Sequence, residues 1–169
     1  MALQVNGIDI ANGIVFQQLD ICKDTFDDRL VCQKKIYLLQ SLGTDLGYAY
    51  NWYVRGPYSP ALTSYVFNHL EMLSAKSFDQ YKLSYSAEKN ISTVRSLADK
   101  GPEDLSVPSW YELLASIQYI FDHPDSWKHN KKDDELKNIL MKNKPQYTES
   151  HCNCALDILK QNAFIKAGE

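Results

Sequence analysis

Hydrophobic residues follow two different periods in the first half of the chain, and these predict a helix followed by a strand. Over residues 24–42, apolar side chains recur at helical spacing on three sides, which indicates a helix enclosed by its own domain. Asp24 is the expected N-cap of this helix. After Gly43 and Gly47 two sets of residues alternate, and that period of two predicts a strand: Tyr48, Tyr50, Trp52 and Val54 in one set, and Ala49, Asn51, Tyr53 and Arg55 in the other.

A Gly-Pro-Tyr-Ser-Pro segment at residues 56–60 follows the predicted strand and marks a sharp elbow. Ser59 supplies an N-cap hydroxyl, and Pro60 occupies the first helical position, where a missing N–H group costs no hydrogen bond. A second helix is therefore predicted over residues 60–75, with an apolar stripe that suits packing on the first helix. The order helix, strand, elbow, helix is compatible with a winged-helix-like unit.

The rest of the chain predicts shorter elements around this unit. The opening residues 1–16 alternate only weakly, so a loose strand and a short helix both fit. Residues 77–86 place aromatic residues in a polar stretch and fit a short strand where a wing would lie. Four further helices are predicted from periodicity and end signals: residues 87–100, an apolar helix from Pro108 that ends at His123-Pro124, residues 133–144, and a last helix with Thr148 as its N-cap.

These elements define the predicted fold class, which is α+β and mainly helical, with a winged-helix-like core and additional C-terminal helices. We expect more than about half of the residues in helices. The length of 169 residues and the 44% share of hydrophobic residues suit a single domain, residues 1–169, with a full core. Residues 1–100 are expected to form the winged-helix-like half, and residues 101–169 a helical half packed on it.

Composition and cysteine usage indicate an ordinary soluble protein of a reducing compartment. The 4 cysteines show no paired framework of the kind that small secreted domains use, so reduced thiols are expected. No apolar run approaches the roughly 20 residues that span a bilayer, and residues 1–13 lack a basic leader region. We therefore expect a cytoplasmic protein that is not attached to a membrane.

His151, Cys152 and Cys154 form the cluster that most invites a metal or nucleophile hypothesis. On a helix, positions two apart point about 200° away from each other, so the two thiols cannot both bind one ion. A packed Cys152 and a surface Cys154 are the simpler interpretation. The sequence also lacks a phosphate-binding glycine loop and a recognisable nucleophile elbow. The prediction is a protein that is not an enzyme, with no catalytic residues, no metal and no cofactor.

The charge distribution bears on the hypothesis of nucleic-acid binding, which a winged-helix-like unit suggests. Residues 1–127 contain 10 basic and 15 acidic residues, a net charge of −5, whereas residues 128–169 contain 8 and 6, a net charge of +2. The would-be recognition helix, residues 60–75, contains Glu71 and no basic residue, although phosphate neutralisation supplies much of DNA affinity. Only one group of lysines could contact nucleic acid: Lys131, Lys132, Lys137, Lys142 and Lys144. A solvated helix face explains these lysines equally well.

The predicted strand offers a candidate surface for binding a protein. Both of its faces carry aromatic residues, but a three-helix core needs only one face inside. The face with Tyr53 and Arg55 is expected to stay partly exposed, next to Tyr58 of the elbow. Because Arg and Tyr are enriched where proteins bind one another, these three residues are the predicted partner-binding site. The alternative is that Arg55 stacks on a neighbouring ring or caps a carbonyl group of the elbow.

Four segments of the chain carry a resemblance to a known family. They are KKIYLLQ at 34–40, Y-x-x-GPYSPAL at 53–62, WYELLASIQYI at 110–120 and KNKPQYTESHCNCALDILKQNAFI at 142–165. In these segments the chain resembles the small YwgA-like uncharacterised proteins of bacteria and archaea. More distantly it resembles the Panacea, or SocA-like, antitoxin domains, which carry a similar K-x-x-Y helix and Y-G-P elbow.

The resemblance implies a small cytoplasmic regulatory or protein-interaction module that acts on a protein partner. The likeness to Panacea domains implies, more narrowly, an antitoxin or an accessory subunit of a defence-type operon. The alternative function is a winged-helix DNA-binding transcriptional regulator, which the order of the first elements suggests.

Overall fold

A computed structural model describes residues 5–166 of the chain. In this part of the chain, eight α-helices and a two-stranded sheet make up the fold, and 63% helix confirms the mainly helical α+β class. A short 3₁₀ turn, Leu97–Asp99, extends the fourth helix. The helices are α1 (Gly7–Gln18), α2 (Phe26–Ser41), α3 (Pro60–Ser74), α4 (Tyr85–Ser96), α5 (Val107–Asp122), α6 (Pro124–Trp127), α7 (Asp133–Asn143) and α8 (Glu149–Gln161).

Most helix starts follow the local signals in the sequence. Ser59 and Thr148 are the N-caps of α3 and α8, as predicted, and each hydroxyl accepts a hydrogen bond from a backbone N–H of the first turn. The N-cap of α2 is Thr25 rather than Asp24, because Thr25 and Asp28 form a reciprocal capping box. The undecided opening stretch is helical from Gly7, where Asn6 is the N-cap; residues 1–4 lie outside the described part.

The predicted strand over residues 48–55 is shorter than expected and belongs to a hairpin. Strand β1 (Asn51–Tyr53) pairs antiparallel with β2 (Gly56–Tyr58), which lies inside the predicted elbow. Gly56 has a φ of +86°, a left-handed conformation that glycine adopts without strain and that lets the chain fold back. The elbow is therefore a tight hairpin followed at once by α3.

The predicted short strand over residues 77–86 is wrong. Phe78 is buried against Gly13 of α1, so this stretch packs as a loop on a helix, and α4 begins at Tyr85 after the N-cap Ser84. Within residues 5–166 the hairpin precedes α3, and no strand follows that helix as a wing would. The winged-helix-like core is thus not confirmed.

Helices α2 and α5 lie side by side at the centre, and one continuous hydrophobic core joins the two halves of the chain. Helix α5 is buried on nearly all sides, since α7 and α8 pack on it and the hairpin crosses it. Buried Trp110 donates its indole N–H to the carbonyl oxygen of Leu97, at 2.8 Å, so the ring is both packed and hydrogen-bonded. This central pair of helices is the support on which the hairpin rests. Among residues 5–166, no helix combines the length and apolar character needed to cross a membrane.

Candidate functional site

A cavity of about 390 Å³ opens between the start of α2, the turn of the hairpin and the first half of α3. We call it the elbow pocket and define it by its apolar and its basic lining side chains. The volume lies at the low end of the roughly 300–1,000 Å³ that ligand pockets usually have. Its apolar walls are Phe26, Leu30, Tyr53, Val54, Tyr58 and Phe67, and its basic residues are Arg29, Lys34 and Arg55.

Exposed apolar surface is concentrated at the elbow pocket. Of the eight large hydrophobic residues that are exposed in the described part of the chain, four line it. Val54, at the tip of the hairpin, is 91% exposed, and Phe26, Tyr53 and Phe67 are each about half exposed. Patches of this kind on a protein surface usually mark a place where another molecule binds.

The three predicted partner-binding residues come together at this pocket. The rings of Tyr53 and Tyr58 meet edge to face with centroids 5.2 Å apart, and the Arg55 guanidinium lies over the ring of Phe26 at 5.6 Å. Tyr53 is exposed, and Arg55 keeps 45% of its side chain in solvent. The alternative interpretation, in which Arg55 stacks on a neighbouring ring, is therefore also observed. The Arg55 side chain lies over the Phe26 ring and is partly exposed to solvent at the same time.

Arg55 has a second contact that the sequence did not predict. Its Nε donates to the Oε2 of Glu112 at 2.5 Å, and the buried Lys144 donates to the other carboxylate oxygen at 2.8 Å. The Glu112 side chain is fully buried, and Lys144 also donates to the carbonyl oxygen of Val54 at 2.9 Å. The carboxylate thus fixes the turn of the hairpin, directly through Arg55 and through Lys144 at Val54. A lone glutamate inside the apolar segment WYELLASIQYI was the signal for this contact.

Lys34 occupies the floor of the elbow pocket. The residue is 1% exposed, and its Nζ donates to the carbonyl oxygen of Pro57 at 2.7 Å. Burial lowers the pKa of this amine from 10.5 to about 7; Glu112 partly opposes that shift, and Lys144 and Arg55 add to it. The hairpin is therefore held on α2 by a lysine whose charged form is costly to bury.

The low pKa of Lys34 predicts a stability that rises with pH. Between pH 7 and 9 the unfolded chain holds a proton on this amine that the folded chain has mostly released, so the free energy of unfolding increases. Relative to Lys34→Met, the wild type should gain about 2 kcal/mol across this window. Urea unfolding at a series of pH values measures it. If the free energy of unfolding rises equally with pH in the wild type and in Lys34→Met, the prediction is wrong. The window stops at pH 9 because the buried thiol of Cys32, with its pKa raised to about 12, acts in the opposite direction above that pH.

The neutral polar side chains in the pocket wall form hydrogen bonds that connect elements of the fold. Gln33 donates to the Ser59 carbonyl oxygen at 3.0 Å and to the Thr63 hydroxyl at 2.9 Å, and it accepts from the Ser59 N–H at 2.8 Å. The Thr63 hydroxyl in turn donates to the hydroxyl oxygen of Tyr58 at 2.8 Å. This chain of bonds ties α2, the elbow and α3 together, so the pocket is preformed.

The lysines predicted as nucleic-acid contacts do not form one exposed group. Lys144 is 2% exposed and pairs with Glu112, so it cannot reach a phosphate; this part of the hypothesis is wrong. Lys137 lies between Asp134 and Glu149 at 3.3 and 3.2 Å. Lys131, Lys132 and Lys142 are exposed, and the Lys131 Nζ also lies 4.9 Å from the centre of the Phe121 ring.

The side chains of the thiol and histidine cluster have separate surroundings. Cys152 is fully buried and Cys154 is partly exposed, which agrees with the simpler interpretation. Burial raises the pKa of the Cys152 thiol to about 11, and His151 is held by Asp104 at 2.7 Å. In the described part of the chain, no group of three or more His, Cys, Asp or Glu side chains is arranged to hold a metal ion.

Comparison with known proteins adds no assignment. No family model, no curated protein and no solved structure matches the chain. The candidate site therefore rests on the geometry of the elbow pocket, and the resemblance to YwgA-like and Panacea proteins stays a prediction from four sequence segments.

Proposed function

We propose that this chain is a small regulatory module that works by binding another protein at the elbow pocket. The observation that carries the proposal is the concentration of exposed apolar side chains around one preformed cavity, with arginines at its rim. Aromatic residues and arginine are the side chains most enriched at protein interfaces. The proposal assigns no catalytic residue, metal or cofactor.

The resemblance to Panacea domains supports a narrower form of the proposal, in which the partner belongs to a defence-type operon and the chain is its antitoxin or accessory subunit. The four free cysteines support a reducing, cytoplasmic setting. The alternative, a winged-helix DNA-binding regulator, has weaker support. Helix α3 contains no basic residue, and the buried Lys144 leaves the lysine group smaller than expected.

A charge placed at the tip of the hairpin should abolish partner binding. Val54→Asp puts a carboxylate into the apolar rim without touching the core, since this side chain is 91% exposed. Immobilised wild type and variant are compared for proteins captured from the cells in which the chain is naturally made. A true partner should be recovered at least about tenfold less by Val54→Asp.

The matched control is Tyr85→Asp, which changes an equally exposed hydrophobic residue, 82% exposed, outside the pocket. It should capture the partner as the wild type does. Equal recovery by all three proteins, or equal loss in both variants, would show that the elbow pocket is not the binding surface. A low-salt gel shift with duplex DNA checks the alternative function, and a shift lost in Lys131→Glu with Lys132→Glu would favour it.

A further inference from the structure

The hydrogen-bonding groups that face the elbow pocket are donors. Arg55 uses its Nε for Glu112, and within residues 5–166 its remaining N–H groups have no hydrogen-bond partner. Arg29 uses one guanidinium nitrogen for the carbonyl oxygen of Lys23 at 2.9 Å, which leaves its other two nitrogens available. The hydroxyl of Tyr58 accepts from Thr63, so its own hydrogen remains free to donate.

The acceptors near the pocket are already occupied. The carbonyl oxygen of Pro57 accepts from Lys34, and that of Val54 accepts from Lys144. Gln33 spends its side-chain oxygen on the N–H of Ser59. Among the described residues that line the pocket, none is acidic. An occupant that supplies acceptors therefore finds more unused partners here than an occupant that supplies donors.

The charge of the pocket lining also favours an occupant that supplies acceptors. The lining contains two arginines, Arg29 and Arg55, and behind it Lys144 and Glu112 cancel each other. Buried Lys34, with its pKa lowered to about 7, adds little positive charge. The chain as a whole carries −3, and Asp27 and Asp28 follow Phe26 in the first turn of α2, but neither of them lines the pocket. A negative group in the pocket therefore meets arginine side chains and no lining carboxylate.

We propose that the occupant of the elbow pocket is an acidic segment of the partner protein, with one large apolar side chain as its anchor. The anchor enters between Phe26, Val54 and Phe67, and neighbouring Asp or Glu side chains accept hydrogen bonds from Arg29 and Arg55. This inference rests on the proposed function and specifies the chemistry of its partner. A nucleic-acid backbone supplies negative charge but no apolar anchor for these walls, so a protein segment fits them better.

The test begins with a library of random linear peptides selected on the immobilised full-length chain. Selected sequences should combine a large apolar residue with acidic residues on either side. Each is then synthesised and its affinity measured by fluorescence anisotropy for the wild type, Val54→Lys and Val54→Asp. Both variants lose the valine contact, but they differ by two charges at one exposed position. An acidic peptide should bind Val54→Lys at least about tenfold more tightly than Val54→Asp.

A second signature is salt dependence, because the exposed part of the charge attraction is screened: affinity should fall as salt rises. Peptides without acidic residues that still need the pocket would overturn the acidic-segment inference and leave the proposed function standing. The inference is also overturned if every selected peptide binds the two Val54 variants with equal affinity. If Val54→Asp also captures the natural partner normally, both proposals fall. Tighter binding of a single-stranded oligonucleotide than of any selected peptide would favour nucleic acid as the occupant.

Discussion

Glu112→Gln is expected to lower the free energy of unfolding by about 3–5 kcal/mol. The carboxylate is fully buried and is bonded to both Arg55 and Lys144. Removing its charge leaves Lys144, 2% exposed, without an anion, and Lys34 nearby loses the one charge that favours its protonated form. Glutamine cannot compensate, since its amide adds a donor where only acceptors are useful. Chemical denaturation of the two proteins measures the difference.

Glu149→Gln is the matched control, because this carboxylate also pairs with a lysine, Lys137, but is 69% exposed. Its loss should cost no more than about 1 kcal/mol. The double variant Glu112→Gln with Lys144→Met should recover part of the stability lost in Glu112→Gln, since the stranded charge is gone. A loss below about 1 kcal/mol in Glu112→Gln would show that the hairpin does not depend on this network.

Gly56→Ala should destabilise the protein by about 2–4 kcal/mol for two separate reasons. The backbone at this position has a φ of +86°, which an alanine adopts only with strain. In addition, the new Cβ would lie 2.5 Å from the Ser116 hydroxyl oxygen, far inside van der Waals contact. Either the Ser116 side chain rotates away or helix α5 and the hairpin move apart. Thermal and chemical melting report the stability loss.

Two further variants separate the strain from the collision. Gly43 also has a positive φ, +103°, but a Cβ there would meet nothing within 4 Å, so Gly43→Ala reports the backbone strain alone. Ser116→Ala removes a buried hydroxyl that has no hydrogen-bond partner in the described part of the chain. Combined with Gly56→Ala, it should return the stability to about the level of Gly43→Ala. If the double variant is no more stable than Gly56→Ala, the contact with α5 is not the cause.

Arg55 serves the fold and the candidate site at once, and this decides which variants can test binding. Its Nε belongs to the buried network of Glu112, while its guanidinium also lies over the Phe26 ring at the pocket. A change at Arg55 therefore alters stability and binding together. Val54 offers the cleaner test, because it is at the same rim and takes no part in the core.

The sequence alone determined the elements that depend on neighbouring residues. The N-caps Ser59 and Thr148, the proline start of α3 and the apolar face of α5 were all predicted, because a capping bond spans three residues and helical periodicity a few turns. The same local logic predicted that Tyr53 would be exposed, since alternation along an extended chain separates two faces.

Only the tertiary structure decided what depends on distant residues. Arg55 and Glu112 are 57 positions apart and Lys144 and Glu112 are 32 apart, so their pairing, and with it the burial of Lys144, follows from packing α5 against the hairpin. The residues around Phe78 form a loop packed on α1 rather than a strand, because Gly13 of α1 has no side chain and leaves space for the Phe78 ring. Contacts between residues so far apart in the sequence produce no periodic pattern of hydrophobic positions. They also form the elbow pocket, because its walls come from three elements that meet only when the core is complete.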